Sequence, residues 1–158
     1  MPDSLFTAKD FDPEKDRRRR RAITVIASTL VVLAVLAFLF RYWPYEHRVD
    51  TFFNALEHKE FKQAFAIWVN DPNWEQQPEK YVTQTRWNYP YSRFYEDWGP
   101  SGEWGVVQSH HVDKAGTLPG QSSGVVVVVT VNKSAKPIYL WVEKKGKTIS
   151  CAPLADAC

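Results

Sequence analysis

Cysteine is scarce in this sequence. The two cysteines, Cys151 and Cys158, both lie in the last eight residues. A bridge between them would close only a short loop, which excludes a disulfide scaffold that holds the whole chain together. Haem attachment through CxxCH and a zinc site of grouped cysteines and histidines are also excluded, since neither spacing occurs. We expect either a Cys151–Cys158 disulfide, free thiols, or a bridge to another chain.

Catalytic and phosphate-binding motifs are missing as well. The sequence has no Ser/His/Asp arrangement of a known spacing and no glycine-rich phosphate loop. We therefore expect no cofactor and no metal ion. The missing motifs favour a protein that is not an enzyme.

Basic residues are not clustered in most of the chain. Residues 1–21 contain seven Lys or Arg and five Asp or Glu, which leaves 13 residues of each sign in 41–158. Binding to a nucleic acid backbone needs a concentrated patch of positive charge. The sequence therefore predicts no nucleic acid partner.

Charge is absent from residues 22–40, which read AITVIASTLVVLAVLAFLF. Twelve of these 19 residues are Ile, Val, Leu or Phe. As an α-helix the segment would be roughly 28 Å long, close to the thickness of the hydrocarbon core of a bilayer. The pattern predicts one transmembrane helix over 22–40, with the lipid bilayer as a partner.

Charged and aromatic residues beside this segment predict its orientation. Five consecutive arginines precede it, and they are Arg17, Arg18, Arg19, Arg20 and Arg21. By the positive-inside rule they keep 1–21 in the cytoplasm as a tail that we expect to be disordered. An interfacial aromatic belt of Tyr42, Trp43 and Tyr45 follows in a linker over 41–45, where Pro44 is expected to end the helix. Residues 46–158 would then be extracytoplasmic, and periplasmic if the cell is bacterial.

A cleaved signal peptide is the alternative interpretation of the apolar segment. Its apolar region would be about 7–15 residues long, with small residues after it at a cleavage site. Here the apolar region is longer and Arg41-Tyr42-Trp43-Pro44 follows it. The sequence therefore favours a permanent anchor.

Helical periodicity begins after the linker. Over 46–69 apolar residues recur every three or four positions, and a polar break at His58, Lys59 and Glu60 predicts two short helices rather than one. A further short helix is expected over 78–85, because Pro78 suits a first helical turn.

Strand patterns occupy the C-terminal part of the chain. Strands are predicted over 103–112, 124–131, 138–143 and 148–151, which are rich in branched and aromatic residues. Five consecutive valines in 124–131 favour a central strand that is buried on both faces. The fold class is therefore α+β, with one N-terminal transmembrane helix followed by a single domain over 46–158.

Four segments in this order resemble the nuclear transport factor 2-like superfamily. They are VDTFFNALEHKEFKQAFAIW as a helix pair, YSRFYEDWG as a short helix, and VVVVVTVN and IYLWVEKKGKTIS as strands. The resemblance implies a cone-like domain with helices packed on a curved antiparallel sheet. The superfamily includes isomerases, cyclases, dehydratases, dimerisation modules and membrane-anchored envelope components such as inner-membrane core proteins of type IV secretion systems. The last group has the layout predicted here, but a fold does not choose among functions.

Candidates for catalysis are limited to the segment His110-His111-Val112-Asp113. Alternate residues of a strand point to opposite faces, so at most one histidine faces the interior, and Asp113 shares the face of His111. Enzymes of the resembled superfamily often place a His/Asp pair inside the cone, which makes His111 and Asp113 weak candidates for acid–base chemistry. The competing interpretation is an exposed strand end.

Aromatic residues are concentrated between positions 87 and 98. Four of them fall near one helical face, and these are Trp87, Tyr91, Phe94 and Trp98. They predict a pocket wall or a contact surface for another subunit, since aromatic residues are enriched at both, or else the core of a small cone.

The predicted function is that of a membrane-anchored, non-catalytic binding or assembly module. It would be an accessory subunit of a membrane or envelope protein complex and act through protein–protein interaction with other membrane or envelope proteins. A homo-oligomer is a further arrangement that the sequence leaves open. The alternative function is a small-molecule-binding protein or a His/Asp acid–base enzyme that uses the pocket of the cone.

Overall fold

The uncharged N-terminal segment is part of a long helix, α1 (Pro13–Leu39). In the computed structural model, which describes residues 13–83 and 89–154, the large apolar side chains over 23–40 are 43–65% exposed. Among the described helices, α1 alone is long and apolar enough to span a membrane. Residues 13–21 were expected to be disordered but are helical. Lys, Glu and Arg favour helix, and the apolar part of α1 continues directly from these residues.

The chain divides into two compact units shortly after the end of α1. One unit ends at Arg41 and a second begins at Tyr42. Helix α2 (Trp43–Glu57) starts inside the predicted 41–45 linker, with Pro44 in its first turn, where the missing N–H leaves no hydrogen bond unmade. Pro44 therefore begins α2, and the prediction that it ends the preceding helix was wrong.

The predicted helix pair is confirmed. Helix α3 (Phe61–Val69) follows α2 after a turn in which Lys59 has a left-handed φ of 61°. Arg48 on α2 joins the two helices, since its Nη2 donates to the carbonyl oxygen of Ile67 at 2.6 Å and to Asn70 Oδ1 at 2.8 Å. The remaining described helices are a 3₁₀ turn (Trp74–Gln76), α4 (Lys80–Thr83) and α5 (Tyr91–Trp98).

The strands form an open antiparallel sheet in chain order. They are β1 (His110–Gly116), β2 (Gly124–Val131), β3 (Ile138–Glu143) and β4 (Ile149–Cys151). The strand predicted over 103–112 was wrong for 103–109. Backbone bonds from Gly102 to Gly99 and from Gly105 to Gly102 form turns there, and Gly105 has a φ of 59°, which a strand does not use.

The valine run is buried on both faces, as the sequence predicts. Val125, Val127 and Val129 are fully buried in the main core, whereas Val126 and Val128 pack in a second cluster with Trp141. At the start of β2, a Cβ on Gly124 would collide with the Trp141 indole. Glycine at this position therefore lets the indole lie flat across the strand.

Aromatic rings fill the space between the helices and the sheet. Phe52, Phe53, Phe65 and Phe94 are fully buried, and most of their ring contacts are edge-to-face at centroid distances of 4.7–6.2 Å. Such pairs add to the stabilisation that burial itself provides. The rings pack α2, α3 and α5 into one core with the sheet.

Candidate functional site

A polar cluster of Asp50, Glu57 and His110 joins α2 to β1. The two carboxylates are seven residues apart, which puts them on one face of α2. His110 lies between them, with its Nδ1 2.7 Å from Glu57 Oε1 and its Nε2 3.1 Å from Asp50 Oδ1. Its side chain is only 7% exposed, and its ring stacks on Phe53 at 5.3 Å.

Both ring nitrogens of His110 are occupied by this geometry. A neutral imidazole has one donor and one acceptor nitrogen, so only the doubly protonated ring donates to both carboxylates. The two nitrogens point away from each other, and the three side chains do not converge on one point. Among residues 13–83 and 89–154, no group of three or more His, Cys, Asp or Glu side chains is arranged to hold a metal ion. The arrangement fits a clamp between helix and sheet.

The weak catalytic candidates, His111 and Asp113, are both exposed. Asp113 Oδ2 accepts a hydrogen bond from Thr130 Oγ1 at 2.8 Å. The buried histidine is instead its neighbour His110. The spacing of Asp50 and Glu57 puts both carboxylates on one face of α2 with Phe53, but it does not indicate that His110 is the residue they contact.

The aromatic candidates divide between core and surface. Phe94 is fully buried, Trp98 is buried beside Phe52 at 5.2 Å, and Tyr91 is partly buried and stacks on Trp74 at 4.9 Å. Trp87 lies outside the described residues. Of the three described candidates, Trp98 also lines a cleft.

This cleft, which we call the α5 cleft, has a volume of about 370 Å³. It combines aromatic and acidic walls. Its lining consists of Trp68, Tyr89, Trp98 and Trp104, of Glu96, Asp97 and Glu103, and of Ser101, Gly102 and Cys151. The sequence pattern pointed to Trp98 as a pocket wall, but not to Trp68 and Trp104, which come from segments far apart in the chain.

Hydrogen bonding fixes one wall of the α5 cleft. The Tyr89 hydroxyl donates to Asp97 Oδ2 at 2.7 Å. Burial, reinforced by this bond to Asp97, raises the pKa of Tyr89 well above its ordinary value. Tyr89 therefore stays a neutral donor, and the negative charge of the pair resides on Asp97.

A scan of protein-family models and searches of curated proteins and of solved structures find no match to this chain. The chemistry of the α5 cleft is therefore inferred from its own residues.

The charges of the α5 cleft are unbalanced. Among the described residues, Glu96 and Asp97 form no salt bridge, whereas Glu103 Oε1 lies 3.1 Å from Lys136 Nζ. The same Nζ lies 5.5 Å from the ring centroid of Trp104. The lining thus carries three carboxylates, with the Lys136 ammonium group beside Glu103 and the Arg93 guanidinium close enough to act on Tyr89, which leaves an excess of negative charge suited to a cation.

The residues predicted at the membrane interface begin the second unit. Trp43 is exposed and stacks on His47 at 5.1 Å, while Tyr42 and Tyr45 are partly buried. Lys147 Nζ lies 4.4 Å from the centre of the Tyr45 ring. The five arginines of 17–21 are exposed on α1.

Cys151 ends β4 and is bonded in a disulfide. Its predicted partner, Cys158, lies outside the described residues, so the pairing stays a prediction.

Proposed function

We propose that the protein is a membrane-anchored, non-catalytic binding or assembly module, and an accessory subunit of a membrane or envelope protein complex. The observation that carries the proposal is the exposure of α1. Its large apolar side chains over 23–40 are 43–65% exposed. A soluble protein rarely leaves so large an apolar surface in water, whereas a bilayer would bury it at a gain of about 25 cal/mol per Å².

The arginine run supports an orientation with the second unit outside the cytoplasm. Residues 17–21 are arginines at the start of α1, whereas only Arg41 lies close to its other end. Lys and Arg are retained on the cytoplasmic side of membrane helices. In this orientation the unit that begins at Tyr42 lies beside the membrane on the extracytoplasmic side, where a disulfide at Cys151 is stable.

The filled interior of the second unit favours binding of a partner at its surface over binding of a small molecule inside it. Phe52, Phe53, Phe65 and Phe94 occupy the space where an interior pocket under the sheet would lie. A paired helix followed by an antiparallel sheet agrees with the proposed relation to the nuclear transport factor 2-like superfamily. The exposed positions of His111 and Asp113 do not favour the acid–base alternative.

Extraction of the tagged full-length chain from membranes in mild detergent, followed by affinity capture and mass spectrometry, tests this function. We expect a reproducible set of membrane or envelope proteins and a particle larger than a monomer with its detergent. Two differently tagged copies expressed together distinguish a homo-oligomer from a mixed complex. A monomer without partners, both after extraction and after cross-linking in intact membranes, would contradict the proposal.

A further inference from the structure

Aromatic rings and carboxylates occur together in the α5 cleft. Trp68 lies 5.8 Å from Tyr89 and 5.6 Å from Trp98, as measured between ring centroids, so the three rings are in contact on one side of the cleft, where Trp68 and Trp98 are 6% and 4% exposed. The faces of such rings attract cations. Carboxylates beside them strengthen that attraction and in addition accept hydrogen bonds.

Lys136 is an independent indication of what the α5 cleft accepts. Its ammonium group pairs with Glu103 at 3.1 Å and lies over the Trp104 ring at 5.5 Å, and both of these residues line the cleft. The side chains of Lys136 and Glu103 are 51% and 59% exposed, so this pair is worth at most about 1 kcal/mol. A second cation can therefore displace Lys136 at little cost.

The chemistry of the lining narrows the class of cation. Glu96, Asp97 and Glu103 can accept hydrogen bonds from N–H donors, which ammonium and guanidinium groups have and quaternary amines lack. A volume of about 370 Å³ is at the small end of ligand sites, which suits one side chain rather than a folded segment.

We propose that the α5 cleft binds the alkyl-ammonium or guanidinium group of a lysine or arginine side chain that a partner protein presents. The proposal rests on the proposed function and deepens it, because it assigns a chemical contact to the assembly role. Lys136 acts as an internal competitor that keeps Glu103 paired while the partner is absent.

Titration of the full-length protein in mild detergent with short peptides tests the proposal. The probes are acetyl-Gly-Lys-Gly-amide, acetyl-Gly-Arg-Gly-amide and the uncharged acetyl-Gly-norleucine-Gly-amide, with tryptophan fluorescence and calorimetry as readouts. We expect the charged peptides to bind saturably and at least about tenfold more tightly than the norleucine peptide. Equal binding of the lysine and norleucine peptides would overturn the proposal.

Charge-removing variants sharpen the test without disturbing the core. Glu96→Gln and Glu103→Gln should each weaken binding of the lysine peptide by about three- to tenfold. Lys136→Met should tighten it about threefold, because the competitor is removed. Glu60→Gln, an exposed carboxylate outside the cleft, is the control and should leave binding unchanged. Weaker binding by Lys136→Met, or an equal loss in Glu60→Gln, would overturn the proposal.

Two further comparisons are needed. The first distinguishes a protein side chain from a free amine as the bound cation, and the second distinguishes failure of the cleft inference from failure of the proposed assembly role. Cadaverine has the same ammonium chemistry as a free molecule, and tighter binding of cadaverine than of the lysine peptide would overturn the assignment to a protein side chain. If the charged peptides do not bind while affinity capture still yields partners, the cleft inference alone fails. If the peptides bind but no partner is captured, the proposed assembly role fails instead.

Discussion

His110 and His111 are adjacent in β1 but have opposite environments. His110 is buried between Glu57 and Asp50, whereas His111 is exposed. We predict that His110→Ala lowers the free energy of unfolding by about 2–4 kcal/mol, because it leaves two facing carboxylates without their shared partner. Thermal unfolding of the full-length protein in mild detergent, followed by tryptophan fluorescence, measures the loss.

The matched control for this prediction is His111→Ala. It changes the same residue type on the same strand, and we expect an effect within about 0.5 kcal/mol, as for most surface substitutions. Equal losses in the two variants would contradict a clamp at His110. An unchanged stability in His110→Ala would do so as well.

Asp71 has three hydrogen-bond donors around its side chain. They are the Tyr81 hydroxyl at 2.5 Å, the backbone N–H of Asn73 at 2.9 Å and Lys80 Nζ at 3.2 Å. Chiefly because of the Tyr81 bond, the pKa of Asp71 is below its ordinary value. The hydrogen bonds to the ionised Asp71 side chain therefore stabilise the fold. Their contribution is fully present above the pKa that Asp71 has in the unfolded chain, and it is lost as the pH falls through its pKa in the folded chain.

A pH series on the Asp71→Asn variant tests that direction. The stability difference between the parent and the variant should be constant from about pH 7 to 5 and should shrink below about pH 4. Tyr81→Phe removes the hydrogen bond that lowers the pKa of Asp71 the most, so the stability of this variant should change less than that of the parent over the same pH range. A difference that grows as the pH falls would contradict the lowered pKa of Asp71.

Asn132 connects the end of β2 to the irregular segment over 104–109. Its Oδ1 accepts from the backbone N–H of Gln108 at 2.8 Å, and its Nδ2 donates to the carbonyl oxygen of Val106 at 3.0 Å. Its φ of 52° is left-handed. Asn132→Gly retains that backbone conformation but removes the bonds, so we predict a loss of about 1–2 kcal/mol and faster hydrogen exchange over 104–109.

Lys133 provides the matched control for Asn132. It has a similar φ of 55° and is exposed, with no side-chain hydrogen bond to a described residue. Lys133→Gly should therefore leave stability unchanged or raise it by up to about 1 kcal/mol, because glycine relieves the left-handed strain. A loss in Lys133→Gly equal to that in Asn132→Gly would assign the effect to the turn and not to the Asn132 side chain.

Local patterns were sufficient to predict most elements of this fold. The valine run of β2 and the IYLWVE segment of β3 are short and rich in β-branched and aromatic residues, which favours buried strands. The break between α2 and α3 also followed from local polarity. Residues 103–109 have strand-like composition but are held by Asn132, a residue about 25 positions away, so a local pattern could not predict their turns.

The candidate sites could not be predicted in this way, because each depends on contacts distant in sequence. His110 is 53 and 60 residues from its two partners, and Lys136 is 33 residues from Glu103. Alternation along β1 indicated that at most one histidine faces inward. It could not indicate which one, since that depends on how β1 is placed against α2.

At the scale of the whole molecule, two units with different surfaces follow one another along the chain. The unit that ends at Arg41 exposes apolar side chains over 23–40, and the unit that begins at Tyr42 buries its apolar side chains in a core of its own. Only the second unit therefore has the surface of a protein that is stable in water. The proposed membrane anchor accounts for both surfaces at once, and the proposed orientation decides which partners the α5 cleft can meet.

Reporter fusions test that orientation. Under the positive-inside rule, the five arginines before the apolar segment predict that the second unit lies outside the cytoplasm. A reporter that is active only outside the cytoplasm, fused after Cys158, should be active. Replacing the arginines of 17–21 with glutamine should reduce its activity several-fold, whereas replacing them with lysine keeps the charge and should not. Activity of a cytoplasm-only reporter at the same fusion point in the unmodified chain would reverse the orientation and remove the basis for an extracytoplasmic assembly role.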